Sequence, residues 1–415
     1  MLTSKSAPAP DQLAAGGVGV AGATHFQQPG HETMNEIRIE AVDTVIIDLP
    51  LRREQRFSVL GTSDQSIVII LIRSSDGAVG IGEATPPCGP WWGGESVESI
   101  KVQIDTYLAP LLVGQDAFGL DELMHCMHRA VYGNHFAKAA IEMALLDLIG
   151  KVLQQPVYNL LGGKVRESLP MSWPLATGDP DLEIAEAEEK LDQRLHRMFK
   201  LKMGALPVEE DVSRACKVAR ALEGRASVRV DPNAMWDEST AMRAIAQLQD
   251  AGIELIEQPL SRWDYDGASR LAQRFRTEIM LDEGLCTMQD MFRIAACRAG
   301  GTVSLKIMKS GGIRATRAIA DVASASGITL YMGTFLESSY GTAANMQLCA
   351  TFRDLPFGGE LAGPLLLAED ICQQPAEYRD FELWLSDGVG MAAAIDEDKL
   401  NAFRRDRSYS IHVVA

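Results

Sequence analysis

The chain has 415 residues, 47% of them hydrophobic and 23% charged, with a formal net charge of −17. That length predicts two cores rather than one. The negative balance argues against nucleic acid, whose phosphates want a basic face, and the absence of any apolar run near ~20 residues argues against a membrane span.

Residues 1–35 are rich in Ala, Gly and Pro and read as a disordered leader, with only a poor match to a signal peptide. From Glu36 to about Thr85 the pattern is strand-like. IRIEAVDTVIIDLP and SIVIILIRSSDGAVGIGEA alternate or run apolar, with a turn at SSDG. PPCGPWWGGES follows as an irregular loop, then helices over roughly 96–110, 119–132 and 135–153. This stretch reads as a small α+β domain. After the break at LLGGKVRESLP the rhythm becomes strand, helix, strand, helix. Strands are predicted near 169–174, 199–203, 228–231, 253–257, 278–282, 302–307 and 328–333. Helices fill the gaps, as in EIAEAEEKLDQRLHRM, ESTAMRAIAQLQDAG and GIRATRAIADVASASG. Such alternation predicts a parallel sheet closed as a (β/α) barrel. An open doubly wound sheet would want a G-x-G-x-x-G loop after its first strand, and none is present. The last ~50 residues lose the rhythm and are expected to pack back on the first domain.

Three of these strands end in an acid: VRVD at Asp231, ELIE at Glu257 and IMLD at Asp282. Lys306 ends the next, and the spacings are 26, 25 and 24 residues, about one strand and one crossover helix each. In a barrel such tips meet at one rim. One acid after an apolar run is an ordinary solvated strand end. Three in phase would repel one another unless a cation joins them, and three oxygens suit Mg²⁺ or Mn²⁺.

Lys200 and Lys202, in FKLKMG, are two apart on one strand and point to the same side. Crowding by a second ammonium and a divalent ion is expected to lower a lysine pKa towards neutrality, making it a proton-transfer group. By itself K-x-K is a weak signal. Lys306 should face the site from the opposite side; Lys309, beside SGG, carries less weight. Glu337, in GTFLESSYGT, suits a substrate-binding role or a plain capping role equally. The chemistry implied is stabilisation of charge developing on a substrate carboxylate, with a lysine moving the α-proton. The seven cysteines (88, 126, 216, 286, 297, 349 and 372) include no C-x-x-C pair, so reduced thiols and a cytoplasmic setting are expected.

FKLKMGA, VRVDPNAMWDE, LIEQP, DEG, LKIMKSGG, GTFLESSYGT and FGGELAGPLLL together resemble the enolase superfamily, and within it the muconate lactonizing (muconate cycloisomerase) subgroup. The match runs from about residue 36 to the end. Enolase-type sites pairing a Lys or His base with Mg²⁺ are themselves a known pattern. The resemblance implies an α/β fold: a modified TIM barrel, (β/α)7β, over 164–365, an N-terminal α+β capping domain over 36–163, and a C-terminal segment, 366–415. It implies Asp231, Glu257 and Asp282 as ligands of Mn²⁺ or Mg²⁺ and Lys202 as general acid/base. Lys200 would tune Lys202, Lys306 would act across the site, and Glu337 would support it. Two cap loops, roughly 51–64 and 86–95, would close on substrate, making Phe57, Pro87, Trp91 and Trp92, with Asn233, candidate substrate contacts. Cycloisomerisation of a small dicarboxylate, cis,cis-muconate, in aromatic (catechol) degradation is the implied activity. A homo-oligomer is also implied, since relatives are often octamers. Chloromuconate cycloisomerase, o-succinylbenzoate synthase and N-acylamino acid or dipeptide epimerase stay open on the same scaffold, although YMGTFLESS lacks the acidic pair of dipeptide epimerases.

Overall fold

The structure, a computed structural model, describes residues 36–56 and 61–406. The leader, and Phe57 with it, lie outside the described residues. A long antiparallel hairpin opens the chain: β1 (Ile39–Arg56), β2 (Gly61–Ser74) and β3 (Val79–Ala84), in that order across the sheet. The run IVIILI of β2 is buried on both faces, which is why it reads as continuous rather than alternating. Helices α1 (Val97–Gln103) and α2 (Ala109–Leu112), joined by a π-turn at Ile104–Leu108, then α3 (Leu120–Ala130) and α4 (His135–Val152), cover it. Helix α4 is apolar almost all round because it packs between this sheet and the rest of the molecule. It rides so close to β3 that a Cβ on Gly80 or Gly82 would collide with the carbonyl oxygens of Ala144 and Ala140. A short turn of helix, α5 (Val157–Leu160), leads out.

Strand β4 (Ser168–Pro170) precedes seven parallel strands alternating with helices. They are β5 (Ser172–Leu175), α6 (Pro180–Asp192), β6 (Met198–Lys202), α7 (Val208–Ala221), β7 (Ser227–Asp231), α8 (Glu238–Asp250), β8 (Leu255–Glu257), α9 (Tyr265–Arg274), β9 (Glu278–Leu281), α10 (Met288–Cys297), β10 (Thr302–Leu305), α11 (Ile307–Ser310), α12 (Ile313–Ala325) and β11 (Thr329–Met332). The order is sequential from β5 to β11. Curvature is closed by residues 358–360. Gly359 forms parallel bridges to Met171 on one edge and to Met332 on the other. Ser172 N donates to Gly359 O at 2.7 Å and Glu360 N to Met332 O at 2.8 Å. The eighth strand is thus a minimal seam with backbone bonds on both sides. Helix α13 (Ser339–Cys349) precedes the seam and α14 (Gly363–Leu366) follows it.

The remaining segment divides its contacts. β12 (Tyr378–Arg379) pairs with β13 (Glu382–Trp384), which pairs with β4, while α15 (Glu397–Ala402) leads to Arg405, which bonds Asp48 of β1. No described helix is long and apolar enough to cross a membrane.

Buried carboxylates tie the N-terminal layer to the barrel. Glu142 of α4 accepts the Arg314 N–H at the start of α12. Glu83 of β3 accepts from Ser338 N and Gly341 N, and from the Ser338 hydroxyl, at the start of α13. Each sets a carboxyl acceptor at a helix N-terminus, where the first N–H groups lack helical partners.

Candidate active site

Strand parity decides which side chains meet inside the barrel. With a two-residue period, Lys200 and Lys202 of β6, Arg229 and Asp231 of β7, Leu255 and Glu257 of β8, and Met280 and Asp282 in and after β9 share the inward face. Leu255, Met280 and Tyr331 form an apolar layer apart from the main core, with Arg229 stacked over Tyr331. Above that layer stand the acids and lysines.

Lys200 is buried. Its Nζ donates to Glu257 Oε2 at 2.9 Å and to Glu360, and lies 3.6 Å from Asp231. Lys202 is more open, with 21% of its side chain exposed, and donates to Asp231 Oδ2 at 2.6 Å. Lys306 and Lys309 both reach Asp282, at 2.6 and 2.7 Å. Counting the seam as the eighth strand, β6 and β10 lie four apart, so Lys202 and Lys306 enter from opposite walls.

Lys200 and Lys306 are surrounded mainly by carboxylates. Burial disfavours charge on Lys200, but Glu257, Glu360 and Asp231 outweigh it and hold the ammonium well above the usual lysine range. Lys306 is raised as well, since Asp282 and Glu257 overcome its burial. Carboxylates here outnumber the effect of ammonium neighbours.

Among the described residues, no three side chains converge as a ready metal cluster; each expected ligand is turned onto a lysine. The donor set nevertheless fits a divalent cation. Glu257 Oε1 is buried without a partner, as are Asn233 Oδ1 and Glu283 Oε2. Burial, reinforced by Asp231 and Asp282, pushes Glu257 up to about 8 despite Lys200. Burial with the same two acids pushes Glu283 up to about 7. Carboxylates this close and this dry call for more positive charge than the lysines bring.

The rim is built of strained loops. Asn233, Ala234 and Gln258 have φ of 46°, 63° and 34°, left-handed values uncommon for residues other than glycine. Neighbouring loops hold them. Ala234 N donates to Gln258 O at 2.8 Å, and Gln258 Oε1 accepts the N–H groups of Asp282 and Gly284. Asn233 bridges Asp231 and Glu283 through its amide.

Over the acids lies a cavity that is partly open to solvent. Lys200, Lys202, Lys306 and Asn233 reach it from the barrel, and Pro87, Trp91 and Trp92 from the N-terminal layer. Trp92 is surrounded by cations. Lys306 Nζ is 4.9 Å from the indole centroid, Lys309 Nζ 5.8 Å and the Arg262 guanidinium 5.8 Å, and Arg262 also donates to Trp92 O. Phe335 meets Trp92 edge-on and lies 4.5 Å from Lys306 Nζ. Glu337 does not join this lining. It accepts from Thr334 Oγ1 and Phe335 N, fixing its own loop.

Sequence reasoning missed Glu360, Glu283 and Gln258. Glu360 sits in the seam, which is too short to show a strand pattern. Glu283 and Gln258 immediately follow predicted acids, so adjacency to a strand tip was the available signal.

Comparison with known proteins gives two family matches. Residues 39–162 match the mandelate racemase / muconate lactonizing enzyme N-terminal domain, and residues 183–399 the enolase C-terminal domain-like family. A chloromuconate cycloisomerase of Cupriavidus pinatubonensis is 51% identical over 367 residues, covering 88% of this chain and 99% of that protein. Muconate cycloisomerase 1 of Pseudomonas putida is 46% identical over 374 residues, covering 90% and 100%. The crystal structure of muconate lactonizing enzyme from Pseudomonas fluorescens complexed with muconolactone superposes with a TM-score of 0.87 at 45% identity, over 89% of this chain and 99% of that one.

Proposed function

The chain belongs to the mandelate racemase / muconate lactonizing enzyme family of the enolase superfamily, and from that footing we propose that it converts cis,cis-muconate to muconolactone. The coarser activity, a cycloisomerase-type reaction on the muconate and chloromuconate branch, follows from its close relatives. The observation that carries the finer reading is the placement of Lys202 and Lys306 on opposite walls of a single cavity above three buried acids.

In the reaction an oxygen of one substrate carboxylate bonds to the alkene carbon three carbons along the chain. The electron pair of that double bond moves towards the second carboxylate, giving an enolate. Lys202 Nζ–H then delivers a proton to the α-carbon, and the neutral amine it leaves is reprotonated from solvent, to which this side chain is open. Lys306, caged by Trp92 and Phe335, stays cationic and steadies the developing charge. Asp231, Glu257 and Asp282 would hold Mn²⁺ or Mg²⁺, which supplies electrostatic stabilisation of the enolate charge. Glu360 keeps Lys200 fixed under the site. Pro87, Trp91 and Trp92 shape the pocket and exclude water.

Loss of the conjugated diene absorbance on mixing Mn²⁺-loaded protein with cis,cis-muconate tests the proposal. Absence of decay at high protein concentration rejects that substrate. A chlorinated muconate is the second reading, favoured by the 51% identity to a chloromuconate enzyme. A higher kcat/KM for 2- or 3-chloromuconate than for muconate would select it.

A further inference from the structure

Gln55 stands near the end of β1, paired by its backbone with Thr62 of β2. Its side chain lines the same cavity as Lys202 and Lys306, yet it comes from the N-terminal layer. It is only 5% exposed, and its Nε2 has no hydrogen-bond partner. A buried donor left unpaired destabilises a fold, so a ligand acceptor at this point has a physical role to fill.

Most other side-chain donors of the lining are engaged. Lys200, Lys202 and Lys306 are held by carboxylates, the Asn233 amide by Asp231 and Glu283, and the Thr334 hydroxyl by Glu337. The apolar part of the same lining includes Pro87, Trp91, Pro174 and Leu336. We infer that the Gln55 amide binds the substrate carboxylate remote from the acid cluster, the one that closes the ring, through the oxygen that stays outside it. This rests on the diacid reading above.

A neutral donor suits that group. A cation would hold the attacking carboxylate as an ion pair and blunt it as a nucleophile, whereas an amide orients it. The outer oxygen becomes the lactone carbonyl and remains an acceptor, so the bond persists through the reaction. Interactions of that kind act on KM more than on kcat.

The test uses saturated six-carbon acids that cannot react: adipate, its monoamide adipamate, and hexanoate. Calorimetric titration of each into Mn²⁺-loaded parent, Gln55→Leu and Gln55→Glu proteins reads the subsite directly. Gln55→Leu is expected to weaken adipate about tenfold while leaving hexanoate unchanged. Gln55→Glu is expected to invert the preference, since a carboxylate repels adipate but accepts from the adipamate NH₂. An adipate-to-adipamate ratio equal in all three proteins overturns the inference, as does a parent that binds none of the acids. Thermal melts confirm that both variants fold. Muconate turnover by the parent is scored separately: a parent that binds adipate through Gln55 but leaves muconate untouched sinks the substrate reading and spares the subsite.

Discussion

Lys202 and Lys306 bring the same ammonium group to one cavity in unlike surroundings. Lys202 has a single carboxylate partner and a path to water, while Lys306 is enclosed by Asp282, Trp92 and Phe335. Replacing Lys202 by Ala should lower kcat by about 10³-fold with the circular dichroism spectrum unchanged, the scale expected for loss of a general acid. Retained turnover would move the proton transfer to another group. The aromatic cage gives a finer test. Trp92→Phe keeps a π-face over Lys306 and should stay within a few-fold of the parent in kcat. Trp92→Leu should lose about tenfold, the scale of a desolvated cation–π contact; equal rates would reduce Trp92 to a wall. The phased acids Asp231, Glu257 and Asp282 were legible because three strands repeat one register. Glu360 and Gln55 were not, because each lies where backbone pairing is irregular: a seam of bridges for one, a strand end beyond a register shift for the other.

Helix α4 and helix α12 meet at a point that tolerates little change. Gly312 has φ of 142°, and a Cβ there would sit on Glu142 Oε2. Gly312→Ala should therefore destabilise by about 2–4 kcal/mol, read as a lower urea midpoint at constant m. An unchanged midpoint would mean that Glu142 can move away without penalty. The helices themselves were legible from 3.6-residue periodicity, and α3 and α4 begin within a residue or so of their expected starts. The predicted helix over 183–198 instead runs Pro180–Asp192, because Asp179 caps it by accepting from Asp181 N and Leu182 N. The π-turn at Ile104–Leu108 left no sequence mark, because Ile104 and Leu108 are four apart, the spacing an ordinary helix would also bury on one side.

Across the whole molecule, buried acids help join the two layers beside a shared apolar core, and this makes stability depend on pH. Burial pushes Glu142 up to about 7; the Arg314 N–H and charge oppose the shift, and Asp121 adds to it. The folded chain therefore binds an extra proton between about pH 4.5 and 7. That stabilisation is complete below the unfolded value and is lost as pH rises through 7. Buried histidines such as His196, held down to about 4 by burial, work in the opposite sense, so the single-site difference is the cleaner measurement. Relative to the parent, Glu142→Gln should gain up to about 3 kcal/mol between pH 4.5 and 8, and a flat difference would show that Glu142 titrates as in the unfolded chain. The acid cluster predicts a second global response. Chelator dialysis should abolish turnover, and Mn²⁺ should restore it together with a higher melting temperature, because an ion that binds only the folded state stabilises it. Restoration of activity without chelator-sensitive melting would place the ion elsewhere.

The three residues that lock the barrel also deliver Glu360 to Lys200. A nascent chain that has set β5–β11 has an unsealed cylinder and a buried ammonium still short of one counter-charge. Completing the ring and balancing that charge are then a single event, and it waits on residues 358–360. Half-folded protein should accordingly show no fractional turnover, and regain of activity on refolding should track barrel closure rather than the earlier growth of helix.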